Sequence, residues 1–381
     1  MLSSQPLSDI YLDANATTPA LPAVADAVQR CLTTDFANAS SPHRRGGRGR
    51  EAREHARDRV AALVGTEPAR VVFTSGGTEA NNAVIAAAIG EGRRIIANAG
   101  EHASVLAPLG RLARDPCLLP LNPSGRVDPA DLETALADGG PALVAIHWVN
   151  SETGVVQPVE EVIAVARCHG ARVLVDAAQA VGRITTDLDR LEADYLTFSG
   201  HKLHAPQGVG VLALGRGVPA PVLIAGGGQE SGRRSGTENL PGIVGLGVAC
   251  AHRRDTFADA CARLQALRDH FEQRLRAELD NVVVNGGDVP RAPNTSNLRF
   301  VGIDGQALMA QLDAAGIHCS QGSACSSRKP EPPATLTAMG LDEEAAYSSA
   351  RFSFSILNRD DEVDRAVDAV VAIVRRLDAL C

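Results

Sequence analysis

Three stretches carry residue types that can do chemistry, and each adjoins an apolar run. Ser199-Gly200-His201-Lys202 follows the run Tyr195–Phe198. That puts a lysine at a strand's carboxyl end, where open α/β sheets place their ligands, and an amine there invites Schiff-base chemistry. Asp176 closes the run Val173–Val175 and begins Asp176-Ala177-Ala178-Gln179. A carboxylate half-buried in that position needs a cationic partner. Val71 to Asn82 reads as a strand, a glycine turn (Gly76-Gly77) and a helix start. The free backbone N–H groups there, with the Thr78 hydroxyl, form an anion site suited to a phosphate.

Taken singly, these features have plainer readings: a surface lysine, a helix-capping aspartate and an ordinary turn with Thr78 as the cap. Their combination points elsewhere. A phosphate cradle, a carboxylate for a pyridinium nitrogen and an imine-forming amine are the three handles that pyridoxal phosphate requires. One competing motif fails. Gly208 to Ala213 spells G-x-G-x-x-A, yet it lies in an apolar run and opens no helix, so it is not a dinucleotide fingerprint and a Rossmann oxidoreductase is excluded.

A fourth candidate is Cys325, set among Ser, Gly and Ala just ahead of Arg328 and Lys329. An exposed position near cations favours the thiolate. Its surroundings, residues 320–334 (SQGSACSSRKPEPPA), hold three prolines and read as a mobile loop. Cys319 follows Ile317 and His318 in what reads as a strand, and its expected role is packing.

Positioning these residues calls for an α/β framework. Continuous apolar runs at Val71–Thr74, Ile95–Ala97, Leu143–Trp148, Val173–Val175, Tyr195–Phe198 and Val209–Leu214 alternate with helical stretches at Arg48–Leu63, Glu79–Ile89, Pro129–Ala137 and Val159–His169. Such runs suit a mainly parallel sheet covered on both faces. From Pro241 one long helical stretch continues to Leu279, past a change of character near Thr256. Beyond it, strands are expected at Val282–Asn285, Ser296–Phe300 and Arg351–Ser355, with helices at Gln306–Ala315 and Glu362–Leu380. The expected division is a large cofactor-binding domain, 17–255, and a small α+β domain, 1–16 with 256–381, carrying the cysteine loop.

Composition narrows the class. The chain has 381 residues, enough for two or three cores, and a net charge of −8 with no dense basic run, so direct nucleic-acid binding is not expected. Aromatic residues make up only 3%, which disfavours base-stacking platforms. Eight cysteines without a C-x-x-C indicate neither a disulfide framework nor a zinc ribbon, and no metal is expected. No apolar run reaches the ~18 residues of a spanning helix, and Met1–Asp9 lacks signal-peptide character. A soluble, cytoplasmic protein acting on small molecules is the expectation.

With these residues in view, the chain resembles a fold-type I, class V aminotransferase-family protein, and within it a cysteine desulfurase of the long-loop group associated with iron–sulfur clusters and nitrogen fixation. The matching blocks span nearly the whole chain: YLDANATTP (11–19), SGGTE (75–79), Glu101-His102, Glu152-Thr153-Gly154, DAAQ (176–179), SGHK (199–202), GGGQE (226–230), SGTEN (235–239), GSACSS (322–327) and Arg351-Phe352-Ser353. The resemblance implies that Lys202 binds pyridoxal 5'-phosphate, Asp176 pairs with its ring nitrogen and Gln179 bonds its ring hydroxyl. His102 would stack on the ring and handle protons. Gly77, Thr78, Ser199 and His201 would hold the phosphate, joined by Thr237 from the other subunit of a homodimer with shared active sites. Asn150, Ser151 and Arg351 would bind substrate, Arg351 clamping its carboxylate, and Ser151 stands where relatives carry a second Asn. The implied reaction turns L-cysteine into L-alanine and leaves sulfur as a persulfide on Cys325 for an acceptor protein, in iron–sulfur cluster assembly, tRNA thiolation or DNA phosphorothioation. A selenocysteine lyase or another class V aminotransferase would keep Lys202 and Asp176 without needing Cys325.

Overall fold

A computed structural model describes residues 9–113, 115–322 and 332–380. The apolar runs assemble into one seven-stranded sheet, in the order Val71–Thr74, Gly210–Leu214, Tyr195–Ser199, Arg172–Asp176, Ala142–His147, Arg94–Asn98, Cys117–Leu119. Only Gly210–Leu214 runs against its neighbours, and the other strands are parallel. Successive residues of the strands alternate between two cores. Val72, Leu143, Ala145, Leu174 and Leu212 pack with the helices Gly77–Gly90 and Ala103–Leu112 on one face. Phe73, Val144, Val173, Val175 and Val211 pack with Arg44–Val64, Val159–Cys168 and Leu240–Asp255 on the other. Burial on both faces is why the runs read as continuous rather than alternating.

The glycines of the rejected dinucleotide motif have a structural use. A Cβ on Gly210 would lie 2.5 Å from the Cα of Gly76, so a side chain there would push the antiparallel strand off the turn that precedes Thr78.

A further core gathers Ile10, Leu12, Phe271, Phe300, Phe352, Phe354 and the face Val363–Val374. It is built on an antiparallel sheet, Val282–Val284, Thr295–Phe300 and Ser349–Ser353, in which Asn297 pairs with Arg351. Its helices are Phe257–Glu278, Gly305–Ala314 and Asp360–Asp378. Ala292, Leu336, Met339 and Ala346 pack instead into the first core beneath the large sheet.

The observed elements differ from the expected ones in several places. The stretch from Pro241 is two helices, Leu240–Asp255 and Phe257–Glu278, broken at Thr256. The last strand is Ser349–Ser353 rather than Arg351–Ser355, because pairing with Thr295–Phe300 sets its bounds. Helices Pro22–Thr33 and Ala103–Leu112 went unanticipated, the second because Pro108 lies inside it. Strand Cys117–Leu119 is three residues long and pairs only with Arg94–Asn98. Among the described residues no helix is long and apolar enough to cross a membrane.

Candidate active site

Parallel strands carry their carboxyl ends to one edge of the sheet, and five of them feed one cavity. Thr78 follows Val71–Thr74, His102 follows Arg94–Asn98, and Asn150 and Ser151 follow Ala142–His147. Asp176 ends Arg172–Asp176 and Gln179 follows it, and His201 and Lys202 follow Tyr195–Ser199. With Asn15, His147 and Arg351 they line a cavity of about 210 Å³.

Asp176 is 6% exposed and its oxygens accept only neutral N–H donors, the Asn81 side chain at 2.8 Å and the Ala178 backbone at 3.0 Å. Among the described residues no cation forms an ion pair with this buried carboxylate, and a cationic ring nitrogen is a partner that suits it. Asn81, fully buried, was not foreseen as a site residue. Its NH₂ donates its second proton to Ser104 Oγ at 3.0 Å, and its carbonyl accepts from Thr197 Oγ1 at 2.6 Å. Asn81→Ala is therefore expected to bind pyridoxal phosphate about tenfold or more weakly, the worth of a hydrogen bond to a charged group. An absorbance titration showing unchanged affinity would mean that Asp176 is held without it.

Ser104 links this network to His102. The Ser104 backbone N–H donates to His102 Nδ1 at 3.1 Å, and the Ser104 hydroxyl stands 2.8 Å from the same atom. Nδ1 is thus the acceptor, and the neutral ring carries its proton on Nε2. His102 also caps the helix Ala103–Leu112, which explains why it is oriented by backbone.

Lys202 donates Nζ to the carbonyls of Asn15 and of Ala16, the latter at 2.7 Å. This gives the block YLDANATTP its place: it runs beside the lysine, and Thr18 bonds the His201 carbonyl at 2.8 Å. On the cradle side, Ser199 Oγ accepts from the Gly77 N–H at 2.8 Å, and His201 Nδ1 stands 3.1 Å from Thr17 Oγ1. Burial, with the charges of Lys202 and Arg183, pushes His201 down to about 4. Gln179 donates to the Asn15 carbonyl at 2.9 Å, while its buried Oε1 has no partner. An orphaned acceptor beside a buried aspartate suits a ring bearing a hydroxyl and a protonated nitrogen. The residues fit pyridoxal phosphate.

Neighbouring His204 carries a pH dependence. Burial pushes it down to about 4 from its ordinary 6.5, and its Nδ1–H donates to the Pro19 carbonyl at 2.8 Å. The unfolded chain therefore binds a proton that the folded chain refuses. Stability from this site is present above pH 6.5 and is lost as the pH falls towards 4. His204→Asn, which suits its left-handed backbone (φ 64°), should flatten the acid side of a Tm–pH profile. A profile as steep as the wild type's would refute this.

Arg351 is 1% exposed and reaches the cavity from the antiparallel sheet. Its Nη2 pairs with Asp13 Oδ1 at 2.6 Å, its Nη1 donates to the Ser151 carbonyl at 3.0 Å, and its Nε is buried without a partner. Asp13 also accepts from Ser320 Oγ at 2.9 Å. A carboxylate that engages both arms of the guanidinium must therefore share or displace Asp13. Asn150 is committed to protein: its Oδ1 accepts from the N–H groups of Glu152 and Thr153, both at 2.9 Å, and its amide reaches Thr335 Oγ1 at 3.2 Å. Ser151 contributes its carbonyl, which anchors Arg351 and accepts from Asn15 at 3.1 Å. The sequence reading also gave no role to His147, which is held by buried Glu101: Nδ1 to Oε1 is 3.0 Å, and the His147 N–H donates to the same oxygen at 2.7 Å.

Thr237 is exposed and does not line this cavity. Its segment is tied down by Glu230, which pairs with Arg57 at 2.7 Å and accepts from the Phe73 N–H at 2.9 Å, and by an Arg53–Glu238 ion pair. Cys325 lies outside the described residues. Cys319 packs against the small core near Met309, and burial pushes its thiol up. Among the described residues no group of His, Cys, Asp and Glu could hold a metal ion.

A mainly parallel sheet presenting a lysine, a buried aspartate and a glycine-turn cradle at its carboxyl edge defines a pyridoxal-phosphate enzyme of fold type I. The chain belongs to the class V aminotransferase family, described as "Aminotransferase class-V", which matches residues 10–366. It is 43% identical over 380 residues to a cysteine desulfurase of Nostoc sp., covering 98% of this chain and 95% of the relative. Among solved structures, a NifS-like protein superposes with a TM-score of 0.88 at 32% identity, covering 97% of this chain and 100% of that one. A structure described as SspA in complex with cysteine superposes with a TM-score of 0.79 at 32% identity, over 91% and 98% of the two chains.

Proposed function

We propose that this protein is a homodimeric, pyridoxal-phosphate-dependent cysteine desulfurase that converts L-cysteine to L-alanine and receives the sulfur as a persulfide on Cys325. The observation that carries the reading is the convergence of Lys202, Asp176, His102 and Arg351 on one cavity. The relatives named cysteine desulfurase and the cysteine complex of SspA support the substrate.

Bound pyridoxal phosphate supplies an electron sink for charge developing at the substrate's Cα. The chain does the rest. Lys202 is the cofactor's attachment point and, once released, an amine placed to carry a proton. Asp176 keeps the ring nitrogen protonated, and Asn81 keeps Asp176 in place. Gly77, Thr78, Ser199 and His201 hold the phosphate. Gln179 meets the ring hydroxyl, and His102 moves protons through Nε2 because Ser104 occupies Nδ1. Arg351 receives the substrate carboxylate as Asp13 yields, while Asn150 and Ser151 shape the wall beside it. The Cys325 thiolate attacks the substrate sulfur. A sulfur–sulfur bond forms as the bond from Cβ to sulfur breaks, and the carbon fragment takes up a proton to leave as alanine.

The domain division at 17–255 and 1–16 with 256–381 is supported by the core that gathers Ile10 and Leu12 with residues from Leu264 to Val374, while Ala292, Leu336, Met339 and Ala346 pack across it with the large sheet. An exposed Thr237 on an anchored segment supports a shared site, completed by the partner subunit's phosphate contact. The sulfur acceptor is another protein, recognising the persulfide.

The test is alanine release from L-cysteine by the cofactor-loaded protein, with Arg351→Lys as control. Lysine keeps the charge but not the fork. We expect alanine from the wild type and a KM about tenfold higher in the variant, with kcat less affected. Absence of alanine would refute the activity, and an unchanged KM would place the carboxylate elsewhere.

A further inference from the structure

We infer that the seam behind Lys202 binds one small monovalent anion, of the size of chloride, between Arg183 and Arg253. The two arginines are 6% and 5% exposed, and neither pairs with a carboxylate. Arg183 reaches only carbonyls at long range, Ala14 at 3.3 Å and Gln179 and Lys202 at 3.5 Å. Arg253 donates to the Gly182 carbonyl and to Cys261 Sγ at 3.3 Å, and its Nη1 is buried with no acceptor.

Among the described residues no carboxylate bonds to either guanidinium. The Cys261 thiol donates to the Arg183 carbonyl at 3.2 Å and burial pushes it up, so it is not a thiolate. His204, on the same wall, is neutral. A guanidinium does not shed its proton in a protein, so two of them buried together call for an anion. Burial and the charge of Arg253 push Arg183 down to about 9, the direction expected of a cation lacking its counterion.

Both side chains line a cavity of about 20 Å³ with apolar walls that include Leu203, Leu264 and Phe354. That is room for one water-sized occupant, which excludes sulfate, phosphate and organic acids. The site is also built. Gly182 has φ +73°, and a Cβ there would stand 2.7 Å from Arg253 Cγ and from Leu203 Cδ2, so only glycine lets Arg253 lie across the seam. Leu203 belongs to the large-sheet core and Leu264 and Phe354 to the second one, so the anion would join the two.

This inference is independent of the desulfurase reading, and so is its test. The Tm of the cofactor-loaded protein is measured in sodium chloride and in sodium gluconate at equal ionic strength, for the wild type and for Arg253→Met. Chloride at ten times half-saturation should raise the wild-type Tm by about 2 °C, the rise growing with the logarithm of chloride concentration beyond that point, with no chloride-specific rise in the variant. A wild-type crystal soaked in bromide should show an anomalous peak between the two guanidiniums, and this arm decides alone if the variant does not fold. Equal Tm values in the two salts, a chloride response kept by Arg253→Met, or a bromide-soaked crystal without that peak would overturn the site.

Discussion

Lys202→Ala protein should take up pyridoxal phosphate without forming a borohydride-reducible link to the chain, and its desulfurase turnover should fall by about a thousandfold or more, as for loss of a group that both attaches the cofactor and carries a proton. The measurement is unusually clean in this chain, which contains only two lysines, Lys202 and Lys329. Reduction of the wild type followed by peptide mass analysis should place the cofactor on the Lys202 peptide alone. Lys202 lines the cavity, and the carbonyls of Asn15 and Ala16 hold its Nζ there. Cofactor found on Lys329, or a variant that keeps the reducible link, would remove Lys202 from its role.

Cys325→Ser should separate binding from sulfur transfer. Lys202, Asp176 and Arg351 remain, so cysteine should still change the absorbance of the bound cofactor. Alanine release should drop on the order of a thousandfold, because a serine hydroxyl is a far weaker nucleophile than a thiolate. Mass spectrometry after cysteine treatment should find added sulfur on the Cys325 peptide of the wild type. Cys319 is the competitor, and its position argues against it: burial raises its thiol and it packs against Met309. Persulfide confined to Cys319, with full activity in Cys325→Ser, would reverse the assignment.

How much of the site could be read beforehand follows from how each residue is specified. Asp176 and Lys202 stand out because a mainly apolar run is stable inside a covered sheet, so the polar residues that follow it, Asp176 at once and Ser199 to Lys202 within four positions, mark the sheet's edge. Asn81 carries no such mark. It sits in the helix Gly77–Gly90 as one of two adjacent asparagines, and only the strand beneath decides which faces Asp176. The Glu101–His147 pair escaped for the same reason, although Glu101 stands in a recognised block. Helix Ala103–Leu112 was hidden by Pro108, whose penalty is met by burial of Val105 and Leu109.

By itself the sequence determined a mainly parallel α/β protein with a lysine, an aspartate and a phosphate turn at strand ends. Those features are written in local composition and in the continuous apolar runs of strands covered on both faces. Because parallel strands share one carboxyl edge, the shared cavity followed as well. Only the tertiary structure decided what holds these groups. Asp176 meets Asn81 across 95 residues, His147 meets Glu101 across 46, and Arg351 meets Asp13 across 338. A single polar contact between distant segments depends on strand order and register, which set where two chains cross and leave no periodic trace in either segment. The same holds for Arg183 and Arg253. Their charges are ordinary in the sequence and become a site only when two cores close over them.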